Sequence, residues 1–231
     1  MKKLNFAILL FVSISFVFFS SCEKDDDTNN NNNNQEQFKS LISPYLICAS
    51  RNPGGIGFDF EYKGKTGGAN NLDSLSVSNF EYDLMIKTIK AEKPDGTLGG
   101  MPYIALAVNA EAVNYSAVDT TCKGYTAFQN VTKSNLKDFT FESDDTGFDL
   151  SNLTTGNTGK PLMSEVNKEY KKLVIGDKWK AAAKNDIADD ELVWIIKTAE
   201  GRWIKLIVTD FPADPAPTAT GYVALEWNFV N

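Results

Sequence analysis

The stretch ELVWIIKTAEGRWIKLIVTDF (residues 191–211), followed by YVALEWNF (residues 222–229), decides the predicted fold of this chain. β-Branched and aromatic residues dominate both segments, and such residues suit the pleated, half-buried surface of a sheet. The sequence therefore predicts three antiparallel strands, over Leu192–Thr198, Arg202–Phe211 and Tyr222–Phe229. The link between the second and third strands contains three prolines, which cannot donate to a ladder, so it is predicted to be a loop.

The pattern within these strands predicts which side chains face the core. Successive side chains of a strand point to opposite faces, so the third strand places four apolar residues on one face: Val223, Leu225, Trp227 and Phe229. The first strand is apolar on both faces, which is typical of a central strand covered on both sides. Between the first two strands, Ala199-Glu200-Gly201 predicts a three-residue hairpin loop in which Gly201 takes a positive φ.

Shorter strand patterns precede this stretch, and helical patterns are few. Earlier strands are predicted over Ser43–Ser50, Phe58–Lys63, Tyr82–Lys90 and Tyr103–Val108, the last of them central. Two helices are predicted late in the chain, one capped by Ser164 and continuing to Val174, the other over Asp177–Lys184. The predicted fold class is therefore mainly β, a single antiparallel β domain with one or two short helices.

The start of the chain has the features of a lipoprotein leader. Lys2 and Lys3 precede the apolar run Phe6–Phe19, which is too short for a comfortable membrane span and typical of a signal peptide. Small residues then lead to Cys22, as they do where a lipoprotein is cut and its cysteine is lipidated. We therefore predict a lipoprotein signal peptide at residues 1–21, and a lipid on Cys22 that anchors the protein at the outer membrane, on the cell surface. The alternative is ordinary secretory cleavage with a free Cys22.

The segment that follows is predicted to be a tether. Residues 22–37 include the unbroken asparagine run Asn29–Asn34, which cannot bury apolar area and therefore indicates a flexible chain. The remaining residues, 38–231, are enough for one core of ordinary size. They are predicted to form the single β domain.

Composition excludes several kinds of site. The chain has 30 Asp and Glu against 23 Lys and Arg, a formal net charge of −7, which argues against nucleic acid or an anionic lipid surface as a partner. It has no histidine, which removes Ser-His and Cys-His nucleophilic sites, HExxH zinc sites and His-ligated haem. Asp144, Asp145 and Asp149 miss the spacing of a calcium loop and are interpreted as solvated charges. We therefore predict a binding protein rather than an enzyme.

Two cysteines remain if Cys22 is lipidated. Cys48 and Cys122 form an even pair in a chain that is predicted to be exported, so a disulfide between them is one hypothesis. Two separate buried thiols are the other, and the residues alone do not separate the two.

Three segments together resemble the HmuY family of haem-binding bacterial surface lipoproteins. The C-terminal stretch just described is similar to the family's last strands, in which a short turn ending in Gly is followed by a strand with a Lys and then by an aromatic strand. The second segment is Asn79–Gly100, in which Tyr82-Asp83 stands where the family has an aromatic residue before Asp, ahead of a Gly-rich loop. The third is Gly124–Thr126. The resemblance implies an HmuY-like β domain.

The same resemblance implies a function in iron acquisition. Family members capture haem at the cell surface and deliver it to an outer-membrane TonB-dependent receptor, so haem or a related tetrapyrrole is the expected ligand. In the best-known members two histidines ligate the iron. Those two places correspond to the neighbourhoods of Phe148 and Lys184 in this chain, and neither residue is His or Met. Phe has no ligating atom, and Lys would first have to lose its proton.

Methionine sulfur is the remaining candidate ligand, because a thioether is a soft donor that can bind haem iron. Beyond the leader the methionines are Met85, Met101 and Met163. Met163 follows a polar loop and is the first choice, and Met101 follows the Gly-rich loop and is the second. The alternative for each is gap-filling in the core, which is expected most of all for Met85.

The sequence is also compatible with two other functions. One is a glycan-binding or adhesion module that uses exposed aromatic faces, for which the candidates are Trp179, Trp194, Trp203 and Trp227. The other is a structural partner of an outer-membrane transporter, with no small ligand of its own.

Overall fold

The computed structural model describes residues 45–48, 54–62, 67–72, 81–118, 124–179, 192–211 and 222–230. These residues contain nine strands: β1 (Tyr45–Cys48), β2 (Ile56–Asp59), β3 (Gly68–Asn71), β4 (Leu84–Glu92), β5 (Leu98–Leu106), β6 (Glu111–Asn114), β7 (Val193–Lys197), β8 (Trp203–Asp210) and β9 (Tyr222–Phe229). They form a five-stranded sheet in the order β1-β9-β8-β7-β6 and a four-stranded sheet in the order β3-β2-β4-β5. All the strand pairs are antiparallel, and the mainly β prediction is confirmed.

The C-terminal strands form as the sequence predicts. β7 pairs with β8 on one side and β6 on the other, and its first four residues are all buried. The hairpin between β7 and β8 closes through a hydrogen bond from Thr198 N to Arg202 O at 2.9 Å, and Gly201 has φ +80°. β9 alternates strictly between partly buried and buried residues, so the predicted core face is confirmed.

The main core lies between the two sheets. β9 contributes Val223, Leu225, Trp227 and Phe229 from the five-stranded sheet, and the four-stranded sheet contributes Ile56, Phe58, Leu84, Ile86, Ile104 and Leu106. Aromatic rings meet edge to face here, with the Trp227 centroid 5.1 Å from that of Phe60. Because side chains from both sheets fill one buried cluster, the fold is a sandwich.

A second apolar cluster covers the outer face of the five-stranded sheet. It is built by two short helices, α1 (Tyr115–Val118) and α2 (Gly124–Asn130), and by a 3₁₀ turn, Lys133–Asn135. Ala127 and Phe128 of α2 pack against Val193, Ile195 and Ile207 of the sheet. The sequence did not predict these helices, because elements this short have little periodicity of their own and depend on packing for stability.

A third cluster covers the outer face of the four-stranded sheet and is closed by α3 (Met163–Tyr170). The predicted cap at Ser164 is wrong: Leu162 is the N-cap, and its side chain makes no capping hydrogen bond. The helix ends at Tyr170 rather than Val174, and the chain reverses through Gly176 at φ +56°. The second predicted helix, Asp177–Lys184, lies outside the described residues beyond Trp179.

Three strand predictions need correction. β4 covers Leu84–Glu92 rather than the predicted Tyr82–Lys90. β2 runs from Ile56 to Asp59, earlier than the predicted Phe58–Lys63. β5 begins at Leu98 instead of Tyr103, because it pairs with β4 along its whole length, from Glu92↔Leu98 to Leu84↔Leu106. β5 is also the edge of its sheet rather than a central strand. Its nearly continuous apolar sequence indicated a central strand because the third cluster covers one of its faces and the main core covers the other.

The outer edge of β5 is protected against further pairing. Leu106 N donates to Asp144 Oδ2 at 2.6 Å, and Ile104 exchanges backbone hydrogen bonds with Gly176. Pro102 has no N–H to offer. The start of the strand is more exposed than the rest of it, with Leu98 and Gly100 both exposed.

Candidate functional site

The third cluster brings the three candidate methionines together. Strands present every second side chain to one face, so β4 supplies Met85 and β5 supplies Met101 and Tyr103, while α3 supplies Met163 and Tyr170. We call these five residues the Met–Tyr cluster. Distant positions in the sequence meet here because β4 and β5 form a hairpin and α3 packs across it.

Met101 lies inside this cluster. Its side chain is only 4% exposed, and its carbonyl oxygen accepts a hydrogen bond from the Tyr170 hydroxyl at 2.8 Å. The ring centroids of Tyr103 and Tyr170 lie 4.9 Å apart. In this arrangement the Met101 sulfur packs against neighbours, as a gap-filling core methionine does, and a planar ligand has no access to it.

Met163 is placed differently, at the first position of α3 and partly exposed. Its methyl group lies over the backbone of Gly99: a Cβ atom built on that glycine would be 3.2 Å from Met163 Cε and 2.8 Å from Lys93 Cε. A thioether and a lysine side chain therefore share the open start of β5. The sequence showed the glycines of this segment but not the register that puts Gly99 beneath Met163.

The tyrosines of the cluster are poor iron ligands as they stand. Burial raises the pKa of Tyr103 and, more strongly, that of Tyr170, each with a smaller contribution from a neighbouring tyrosine. Both phenols therefore stay protonated at neutral pH, and a phenolate is the form that ligates. Of the two places where the family has its ligands, Phe148 packs against Tyr103 with centroids 5.6 Å apart, and Lys184 lies outside the described residues.

The acidic loop near Phe148 is structural. Asp144 accepts hydrogen bonds from Leu106 N at 2.6 Å and Val174 N at 2.7 Å, so its interpretation as a solvated charge is wrong. Burial raises its pKa against the opposing effect of these bonds. Asp145 and Asp149 are exposed and accept hydrogen bonds from the backbone of their own loop. In the part of the chain that the structure describes, no group of three or more His, Cys, Asp or Glu residues is arranged to hold a metal ion.

Two residues from the resembling segments join α2 to the five-stranded sheet. Lys205 of β8 is 8% exposed, donates to Gln129 O at 3.1 Å and lies 5.3 Å from the centre of the Phe128 ring. Burial lowers its pKa. The Tyr125 hydroxyl donates to Glu226 Oε2 at 2.7 Å. Lys205 and Tyr125, which lie in the segments that resemble the family, therefore have a packing role. They lie on the outer face of the five-stranded sheet, whereas the Met–Tyr cluster lies on the outer face of the four-stranded sheet.

Asp83, from the second resembling segment, is a buried carboxyl group. It is 6% exposed, and its Oδ2 accepts a hydrogen bond from Phe60 N at 2.8 Å. Burial, more than the nearby carboxylates of Asp59, Glu200 and Glu61, raises its pKa to about 7. Asp83 therefore fixes the chain as it leaves β2, and the cost of ionising it makes the fold sensitive to pH.

The tryptophans do not form an exposed platform. Trp179 and Trp194 are 1% exposed and Trp227 is 0% exposed, while Trp203 is partly buried and meets Phe141 edge to face at 5.1 Å. Three of the four candidate residues of the glycan-binding alternative are therefore core residues, as the alternation of β9 had predicted for Trp227.

The cysteine predictions remain untested. Cys48 ends β1 and pairs with Tyr222 in the backbone register, whereas Cys22 and Cys122 both lie outside the described residues. The lipid on Cys22 and the disulfide between Cys48 and Cys122 stay predictions.

Comparison with known proteins gives one match. A family model described as HmuY protein matches residues 103–227, from β5 to β9, which is more than half of the chain. No curated protein and no solved structure matches. Among the described residues, no helix has both the length and the apolar character needed to cross a bilayer.

Proposed function

The chain belongs to the HmuY family, and on that premise we propose that it is a cell-surface lipoprotein that binds haem, or a related tetrapyrrole, and passes it to an outer-membrane TonB-dependent receptor. Haem is the cargo of this binding protein and no reaction is assigned. The observation that carries the proposal for this chain is the position of Met163, a partly exposed thioether over the open, glycine-lined start of β5.

The described residues fit a haem held by one thioether. Met163 offers a soft ligand for iron. Gly99 beneath it has no side chain of its own, so Met163 and Lys93 are the groups that a flat molecule meets there. Leu98 beside it is 43% exposed and adds apolar surface. Lys93, which is exposed and reaches over the same glycine, is placed to pair with a carboxylate at the edge of the ligand. Met101 remains the second candidate, but its burial requires the cluster to open first.

The role of Met163 is tested with leucine variants, because leucine keeps most of the volume of methionine and removes the sulfur. Met163→Leu is expected to weaken haemin binding by about tenfold or more, since the loss of a group that only orients a metal ligand already costs that much. It should change the Soret band of the reduced complex most, since thioethers favour ferrous iron. Absorbance titration, oxidised and with dithionite, measures both effects.

Met85→Leu is the matched control, because Met85 packs against the same cluster from the start of β4. It should bind haemin like the wild type. A loss of haemin affinity in Met101→Leu but not in Met163→Leu would identify Met101 as the iron ligand. Identical spectra in all three variants and the wild type would remove methionine ligation altogether.

The anchor is part of the same proposal. We propose a signal peptide at residues 1–21, a lipid on Cys22, a tether over residues 22–37 and the β domain over residues 38–231, supported by the leader pattern. Cys22→Ser is expected to release the protein from the detergent-soluble membrane fraction, as followed by cell fractionation and blotting. A protein that stays in that fraction after the substitution would contradict the lipid anchor.

A further inference from the structure

Glu92, the last residue of β4, is a covered carboxylate held by one loop. It is 6% exposed and accepts three hydrogen bonds: from Thr158 N at 2.6 Å, from Thr158 Oγ1 at 2.6 Å and from Asn157 N at 3.1 Å. These bonds hold its pKa below the usual range, so the side chain is ionised at neutral pH. Bonds from backbone N–H groups to an ionised acceptor are stronger than neutral ones.

The loop is shaped around this carboxylate. A Cβ atom on Gly156 would overlap the Glu92 carboxylate, so a larger residue there would have to displace that carboxylate from its hydrogen bonds. Gly156 N donates to Lys160 O at 2.9 Å, and Glu92 N donates to Pro161 O at 2.8 Å. The segment from Gly156 to Pro161 therefore folds back on itself and is fastened to the end of β4 by both the backbone and the side chain of Glu92.

The next residues begin α3. Leu162 forms a parallel bridge with Glu92 and donates to Thr154 O at 2.9 Å, and Met163 follows it directly. The helix has no side-chain cap at its start, so the loop, rather than a capping residue, determines where the first turn lies. Met163 therefore directly follows a loop that Glu92 fastens to the end of β4.

We propose that Glu92 is a positioning residue for the ligand site: it holds the 156–158 loop so that Met163 faces the open start of β5. This inference rests on the proposed haem function, since a positioned thioether needs iron to bind. Glu92 touches neither Met163 sulfur nor ligand in this assignment and acts only through the loop.

Two substitutions loosen the loop to different degrees. Glu92→Gln removes the charge and replaces one of the two acceptor oxygens by an NH2 donor. Thr158→Val removes the hydroxyl donor and keeps the backbone N–H, and Thr158→Ser restores the hydroxyl. Glu165→Gln is the matched control, because the Glu165 carboxylate is also near the start of α3 but bonds to Lys168 on the helix surface.

Each variant is examined by haemin titration, by amide hydrogen exchange at Asn157 and Thr158, and by its melting temperature. Glu92→Gln and Thr158→Val are expected to speed the exchange and to weaken haemin binding by about tenfold, the size seen when a partner that orients a metal ligand is lost. Thr158→Ser and Glu165→Gln are expected to match the wild type. In the Met163→Leu background, Glu92→Gln should cause no further loss of affinity, because residues acting through one group are not additive.

The contrary outcomes are distinct. Faster exchange in Glu92→Gln with wild-type haemin affinity would overturn the positioning role and leave the proposed function intact. An equal loss of affinity in the Met163→Leu background would show that Glu92 acts by another route. If the wild type gives no Soret change, the proposed function and this inference both fall. Should Glu92→Gln prove unfolded by its melting curve, the Thr158→Val and Thr158→Ser pair decides by the same criteria.

Discussion

Replacing Trp227 with alanine is expected to lower the free energy of unfolding by about 3–5 kcal/mol, the usual cost of truncating a large buried aromatic residue. Trp227 is 0% exposed, and its ring meets those of Phe58, Phe60 and Phe229 edge to face at centroid distances of 6.2, 5.1 and 5.6 Å. Trp227 packs between the two sheets, so alanine at this position would leave a cavity that is lined by residues of both sheets. Denaturant titration monitored by circular dichroism measures the loss.

Trp227→Phe is the informative control. The indole N–H of Trp227 has no acceptor among the described residues, so substitution by phenylalanine removes side-chain volume from the core but breaks no hydrogen bond within the described residues. Its cost should be clearly smaller than that of alanine. Trp203→Ala, at a partly exposed position on the outer face, should also cost less. An unchanged unfolding free energy in Trp227→Ala would contradict the sandwich.

The second large effect is the dependence of stability on pH through Asp83. Its pKa rises from 3.8 to about 7 on folding, so between these values the folded state binds more protons than the unfolded state. A raised carboxyl pKa means that stability decreases as pH rises through this window. The decrease attributable to this group reaches on the order of 4 kcal/mol as an upper limit, at 1.36 kcal/mol per pKa unit. Asp83→Asn should remove that slope.

The asparagine oxygen can still accept the hydrogen bond from Phe60 N, which makes Asp83→Asn a near-isosteric test. Unfolding free energies of wild type and variant are compared across pH. Their difference should increasingly favour the variant as pH rises from 3.8 to about 7, and should level off above that pH. Asp95→Asn is the control: its pKa is lowered by hydrogen bonds from Thr97, so its titration lies below this window. Parallel pH profiles for wild type and Asp83→Asn would show that Asp83 is not buried as described.

The parts of the fold that the sequence predicted are those where the pattern is local. The alternation of β9 and the positive φ of Gly201 follow from residues next to each other in the chain. The start of β5 could not be predicted, because Gly99 and Gly100 suggest a loop until their pairing with β4 is known. The short helix α2 was not predicted for a related reason, since its residue Phe128 packs against a sheet that is distant in the sequence.

The candidate site was predictable only in part. The absence of histidine and the choice of methionine follow from composition, but which methionine is reachable depends on the register of the β4–β5 hairpin and on α3. The sequence ranked Met163 before Met101 only by the loops that precede them, and the structure separates them by burial. Glu92 had no sequence signal at all, since its partners, Asn157 and Thr158, are more than sixty positions away.

Haem binding is the central function proposed for this protein. It is tested most directly by an absorbance titration of haemin into the purified wild-type protein, both oxidised and reduced with dithionite. We expect a Soret band that shifts and sharpens to saturation, with tighter binding on reduction, as thioether ligation by Met163 requires. A Soret band that stays that of free haem in both oxidation states would contradict the proposed function of this chain.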